Sequence, residues 1–237
     1  MAEHAQGASG RRQFVHFGFW QVDPAWRRLP ATARAAGKAA FADVLARHSA
    51  QGVITVPYSL VGLRGDADLM LWRIAWDLEA LQAMTSELLA TPLGGWLRQP
   101  YAYLAQSRRS VYVDKLDPEH SESRARVQPG RYQYALVYPF VKTREWYLLH
   151  KSARQGMMDE HIEVGNRFPA VKLNTTYSFG LDDQEFMLAF ETDEPGDFVD
   201  LVMALRETDA SRYTLRDTPI FTCVRREVAA MLDALGG

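Results

Sequence analysis

Three places in this sequence hold most of its chemical potential: a histidine on a patterned helix, a Tyr-Pro-Phe-Val-Lys stretch, and an arginine and serine near a helix end. Of the six histidines (His4, His16, His48, His120, His150 and His161), His161 has the most informative setting. Met157, Met158, His161, Ile162 and Gly165 recur at three- and four-residue spacing, which puts the imidazole on the apolar stripe of a helix that faces a sheet. Burying it unpaired costs about 1–3 kcal/mol, so it needs a partner. That partner is a carbonyl or carboxylate in a packed core, or a metal or haem iron in a site. No second histidine or cysteine stands at metal-ligand spacing, which argues against a closed zinc site.

In Tyr138-Pro139-Phe140-Val141-Lys142 the period-two alternation of a strand puts Tyr138, Phe140 and Lys142 on one face and Val141 on the other. A phenol, an aromatic ring and an ammonium then share one wall, although Lys142 snorkelling to water from an ordinary strand is the plainer alternative. Pro139 has no N–H for a ladder, which predicts an edge strand or a bulge. In LRETDASRY, Arg206 ends a helix and Ser211 follows in the loop. The pair suits a carboxylate, and Arg206 alone suits a helix C-terminus. Phosphate-binding glycine loops, a Ser-His-Asp arrangement and CxxC are absent.

The elements that must position these groups come from a chain of 237 residues, enough for one large domain or two small ones. Apolar residues are 47% and charged residues 24%, in the ordinary globular range, and no apolar run approaches the roughly 20 residues of a membrane helix. Net charge is −2 with no block of one sign, so nucleic acid is not the expected partner. The single cysteine, Cys223, favours a reducing compartment, and with no apolar leader near Met1 the chain is expected to be cytoplasmic.

An internal repeat at an offset of about 120 residues organises the chain. Trp26 aligns with Trp146, and Tyr58-Ser59 aligns with Tyr177-Ser178. Each half reads strand, helix, strand, strand, helix, strand, with turn residues Arg64-Gly65-Asp66 and Gly180-Leu181-Asp182-Asp183 inside the middle pairs. That is the ferredoxin-like plan. Strands such as Phe186–Phe190 are apolar throughout, so both sheet faces must be covered. The expected architecture is α+β: two ferredoxin-like repeats whose sheets face each other as a barrel or sandwich. The expected divisions are a polar terminus at 1–12, an N-terminal half at 13–106, a linker at 107–130 and a C-terminal half at 131–237.

The duplicated halves, YPFVKTREWYLL, MMDEHIEVG, GLDDQEFMLAFET and LRETDASRY together resemble the chlorite dismutase superfamily, and within it the coproheme decarboxylases. The resemblance runs from about Phe14 to Arg225 and implies a dimeric α+β barrel, with the porphyrin in the C-terminal half of each subunit of a homopentamer. His161 matches the family's proximal iron ligand, and Tyr138 matches a tyrosine that carries a radical to a propionate. Lys142, Arg206, Ser211 and Arg126 match propionate-binding residues, and Phe140 and Leu173 are expected to line the porphyrin. Chlorite-decomposing members carry an arginine where Leu173 follows Val171-Lys172, which argues against chlorite chemistry. Glu119-His120 resembles, with one extra intervening residue, a Glu-His stretch that carries a distal histidine in some relatives, which would make His120 the base for hydrogen peroxide; a solvated linker histidine is the alternative.

The resemblance implies oxidative decarboxylation of two propionates of iron coproporphyrin III to vinyls, giving haem b, with hydrogen peroxide as oxidant. It also implies a transient contact with the coproporphyrin ferrochelatase. The alternatives are another haem peroxidase or weakly chlorite-decomposing enzyme on the same fold, and a porphyrin carrier or sensor that releases its ligand unmodified.

Overall fold

The computed structural model describes residues 11–110, 112 and 126–236. The N-terminal half runs β1 (Phe14–Val22), α1 (Ala31–Ala50), β2 (Ile54–Ser59), β3 (Leu69–Ala75), α2 (Leu78–Ala90) and β4 (Leu97–Gln106). The C-terminal half runs β5 (Tyr134–Lys142), the short α3 (Arg144–Leu148), α4 (Lys151–Gly165), β6 (Lys172–Tyr177), β7 (Phe186–Thr192), α5 (Pro195–Arg206), β8 (Thr214–Arg216) and β9 (Phe221–Arg225). A final helix, α6 (Val228–Asp233), returns to pack on α1 and β2.

Strand order is β4-β1-β3-β2 in the first half and β6-β7-β5-β9 in the second, antiparallel throughout. Two short seams join the halves, Gln106 against Tyr177 and Tyr58-Ser59 against Arg225-Val224. The eight strands therefore close into a barrel, joined at its two seams by one and two residue pairs.

Alternation along each strand divides the core. Val15, Phe17 and Phe19 of β1 point into the barrel with Tyr58, Trp72, Val137, Met187 and Phe221, and Phe19 stacks on Phe221 with centroids 3.8 Å apart. Trp20 and Val22 point outward under α1 and α2, against Trp26, Phe41, Leu45, Met84 and Leu88. On the second half the outward set is Leu136, Tyr138, Phe140, Leu188 and Phe190, against Phe198 and Leu201 of α5. The repeat-related Trp26 and Trp146 are both buried, each just after the first strand of its half.

Of the two settings expected for Pro139, the structure shows an interruption of the ladder and not an outer edge. β5 lies inside the barrel between β7 and β9, and Pro139 occupies the gap between two pairings on one side. Val137 is the last residue paired to β9, and Val141 begins the pairing to β8, with a register shift between Val141 and Lys142. The missing N–H is accommodated by this interruption and not by solvent at an edge.

Where the described chain resumes, it is pinned by the buried Glu191, which accepts from the Gly130 N–H at 2.6 Å and from Asn174 Nδ2 at 2.9 Å. Gly130 adopts φ +84°, and a Cβ there would stand 3.1 Å from Val56. Glycine is required on both counts.

Candidate functional site

α4 is where the second half differs in packing from the first. None of its fifteen residues is fully buried, and it packs on α5 and on the 3-10 turn Asp209–Tyr213. On the sheet face that carries Tyr138, Leu173 of β6 is 45% exposed although it pairs with Phe190. The apolar stripe carrying His161 is therefore not sealed against the sheet.

Among the described residues His161 has one side-chain bond, a long one at 3.4 Å between Nδ1 and Thr208 Oγ1. The Thr208 hydroxyl donates to the Leu205 carbonyl at 2.8 Å, so it receives the ring proton and Nδ1 is the protonated nitrogen. Nε2, with its lone pair, has no hydrogen-bond partner among the described residues. Burial, and then the charge of Lys142, push the His161 pKa down to about 4, which keeps the ring neutral.

β5 supplies the opposite wall as its alternation requires. Tyr138, 9% exposed, stacks on Phe190 with centroids 6.0 Å apart. Its phenol is pushed well above the usual range by burial, with Asp217 adding to the effect and Arg206 opposing it. The Lys142 ammonium lies 4.6 Å from the Trp146 ring and 5.3 Å from Phe140, and donates to the Ala210 carbonyl at 2.7 Å. Burial lowers its pKa to about 8, against the opposing charge of Glu185. Glu185 is itself fixed by the Lys142 N–H at 2.7 Å and the Tyr147 hydroxyl at 2.6 Å.

The third wall is the end of α5. Pro195 starts that helix, and Asp197 in the first turn and Arg206 in the last give it the polarity its dipole favours. The Ser211 hydroxyl donates to the Arg206 carbonyl at 2.8 Å, closing the helix end. The Arg206 guanidinium is ion-paired with Asp217, which follows β8. Tyr138, Phe140, Lys142, His161, Arg206 and Ser211 thus come from β5, α4 and the end of α5 to one region, linked by the turn at 208–213.

Two expected residues are not among them. Arg126 lies 5.6 Å from the Trp76 ring in the first half. Its neighbour Val127 is held there by Gln13, whose Oε1 accepts from the Val127 N–H at 2.8 Å. His120 falls outside the described residues. Thr208, Glu185, Tyr147 and Asp217 were missed by sequence reasoning. Only Thr208 had a signal, as the polar residue between Arg206 and the short turn.

A neutral imidazole with a free Nε2 opposite an aromatic wall, flanked by ammonium and guanidinium groups, fits an iron porphyrin bearing carboxylates. No group of three or more potential metal-ligating side chains exists among the described residues, so an iron at His161 needs the ligand frame that a porphyrin brings. A separate open cleft of about 400 Å³ between α1 and α2 is lined by the ion-paired Arg47 and Glu87 and by no imidazole, aromatic ring or ammonium. No helix among the described residues is long and apolar enough to cross a membrane.

The comparisons agree with this fold. A family model described as Chlorite dismutase matches residues 33–226. The chain is 38% identical over 179 residues to coproheme decarboxylase of Mycolicibacterium smegmatis, with 75% of each protein covered. It is 26% identical over 207 residues to chlorite dismutase of Ideonella dechloratans, covering 86% of this chain and 72% of that one. The solved structure of a chlorite dismutase variant from Candidatus Nitrospira defluvii superposes with a TM-score of 0.85 at 29% identity, over 94% of both chains. The matched segment holds every described site residue, and the chain belongs to the chlorite dismutase family.

Proposed function

We propose that this protein is a coproheme decarboxylase: it converts two propionates of iron coproporphyrin III to vinyl groups with hydrogen peroxide and releases haem b. The observation that carries the reading is the Lys142 ammonium, which lies against Phe140 and Trp146, acts electrostatically on His161 and has no ion pair to a carboxylate among the described residues. A carboxylate-bearing porphyrin with its iron at His161 supplies the partner for that charge.

An iron porphyrin held by His161 would supply peroxide activation and accept electrons. The chain does the rest. The Thr208 oxygen holds the Nδ1 proton and so directs the Nε2 lone pair to the metal. Lys142, Arg206 and Ser211 orient propionates. Tyr138 gives up a proton and an electron, and its phenoxyl radical takes a hydrogen atom from the propionate β-carbon. Loss of carbon dioxide and a second electron leaves the vinyl. Each conversion consumes one propionate carboxylate, one peroxide and one proton, and yields one vinyl, one carbon dioxide and two waters.

Leu173 supports this reading over chlorite decomposition, because an exposed leucine on the porphyrin-facing wall offers no hydrogen bond to an oxyanion. A base for peroxide is assigned to His120. The test is the mass of the porphyrin after peroxide is added to the complex with ferric coproporphyrin III. Loss of two carboxyl groups is expected, and an unchanged mass would overturn the assignment.

A further inference from the structure

The two cations of the site differ in what holds them. Lys142 donates to a backbone carbonyl, whereas Arg206 is ion-paired with a carboxylate of its own chain, Asp217. Asp217 sits at the end of β8, a three-residue strand hung from the end of β5 by Val141 and Lys142. Its side chain is 21% exposed and that of Arg206 is 56% exposed, so the pair forms at the solvent boundary of the site. Asp217 and Arg206 both act electrostatically on the Tyr138 phenol, which places the pair beside the wall where the reaction would occur. A fixed carboxylate at this position repels an anionic porphyrin unless the arginine exchanges one acid for the other. In the free protein the Ser211 hydroxyl donates to the Arg206 carbonyl and makes no bond to Asp217.

We propose that Asp217 is a built-in competitor for Arg206, a place-holding carboxylate that a porphyrin propionate must displace in order to bind. This rests on the reading of the site as one for a carboxylate-bearing iron porphyrin. Asp217 then acts through Arg206 as a positioning residue. In the free protein it keeps the guanidinium aimed at the site, and it limits firm binding to ligands with a carboxylate at that corner.

A double-mutant cycle tests it, with Kd for ferric coproporphyrin III measured by absorbance titration of the full-length protein, Asp217→Asn, Arg206→Gln and the double variant. Asp217→Asn is expected to tighten binding about three- to fivefold, the worth of an exposed ion pair released to the ligand. In the Arg206→Gln background the same substitution is expected to change Kd far less. The melting temperature of the porphyrin-free Asp217→Asn protein is expected to fall slightly, while the porphyrin-induced rise in melting temperature grows.

A merely structural Asp217 would lower both stability and affinity, which would overturn the proposal. Equal tightening in both backgrounds would show general charge repulsion and would also overturn it. Either result leaves the porphyrin reading standing as long as the unsubstituted protein binds. Failure of the unsubstituted protein to bind ferric coproporphyrin III would overturn both.

Discussion

Phe41 and His161 stand at the same position of the two repeats, 120 residues apart, as are the first residues of their helices, Ala31 and Lys151. Phe41 is fully buried and closes the interface between helix and sheet in the first half. His161 faces an interface that α4 leaves open. The strands repeat the contrast, since β1 and β5 each have nine residues and Gly18 of β1 stands where β5 has Tyr138. One half is packed as scaffold, and the other carries the chemistry on the same frame.

Exchanging the two side chain types should therefore have opposite effects. Phe41→His leaves an imidazole in a sealed core and is expected to cost about 3 kcal/mol of stability, read by denaturant unfolding. His161→Phe is expected to unfold at a denaturant concentration close to that of the unsubstituted protein but to lose the iron–imidazole stretch in resonance Raman spectra of the coproheme complex. Retention of that band would remove His161 from its role.

Thr208→Val removes the oxygen that fixes the His161 ring while keeping the side-chain shape. Affinity for ferric coproporphyrin III is expected to weaken by about tenfold, toward the lower end of losses seen when a ligand's outer partner is removed. The iron–imidazole band should shift to lower frequency, because Nδ1 loses its acceptor. An unshifted band would show that the Thr208 contact does not orient the ring.

His16 predicts acid sensitivity of the porphyrin-free protein. Its Nδ1 lies 3.0 Å from the buried Arg73 guanidinium, and burial, followed by the Arg73 charge, lowers its pKa to about 3. The unfolded chain binds this proton near pH 6.5 and the folded chain does not. The contribution to stability is therefore complete above about pH 6.5 and declines as the pH falls toward 3, by about 1 kcal/mol per pH unit. His161, lowered to about 4, adds a loss of the same sign. His16→Asn should flatten the decline between pH 6 and 4 in denaturant titrations, and an identical slope would contradict the assignment.

Gly130→Ala should destabilise the protein by about 1–2 kcal/mol, since it combines a left-handed backbone with a close approach to Val56. Thermal unfolding reads this directly.

Periodic and local features were legible in the sequence. The wall of Tyr138, Phe140 and Lys142 followed from strand alternation, the stripe of His161 from helical spacing, and the paired halves from the recurrence of Trp26 as Trp146. What could not be read depends on contacts distant along the chain. The Thr208 bond to His161 spans 47 residues, and the Glu185 bond to the Lys142 backbone spans 43. Arg206 was read as a helix end or a carboxylate site, and the structure adds a carboxylate of the same chain already on it. Pro139 was read as marking an edge or a bulge, and a single sequence does not reveal that the cause is one strand changing partners midway, from β9 to β8.

The most direct measurement is a peroxide titration of the ferric coproporphyrin III complex followed by mass spectrometry, with Tyr138→Phe run in parallel. The unsubstituted protein is predicted to pass through a three-propionate intermediate to haem b, while Tyr138→Phe binds the porphyrin and leaves its mass unchanged. Tight binding without mass change in the unsubstituted protein, or normal vinyl formation by Tyr138→Phe, would contradict the account.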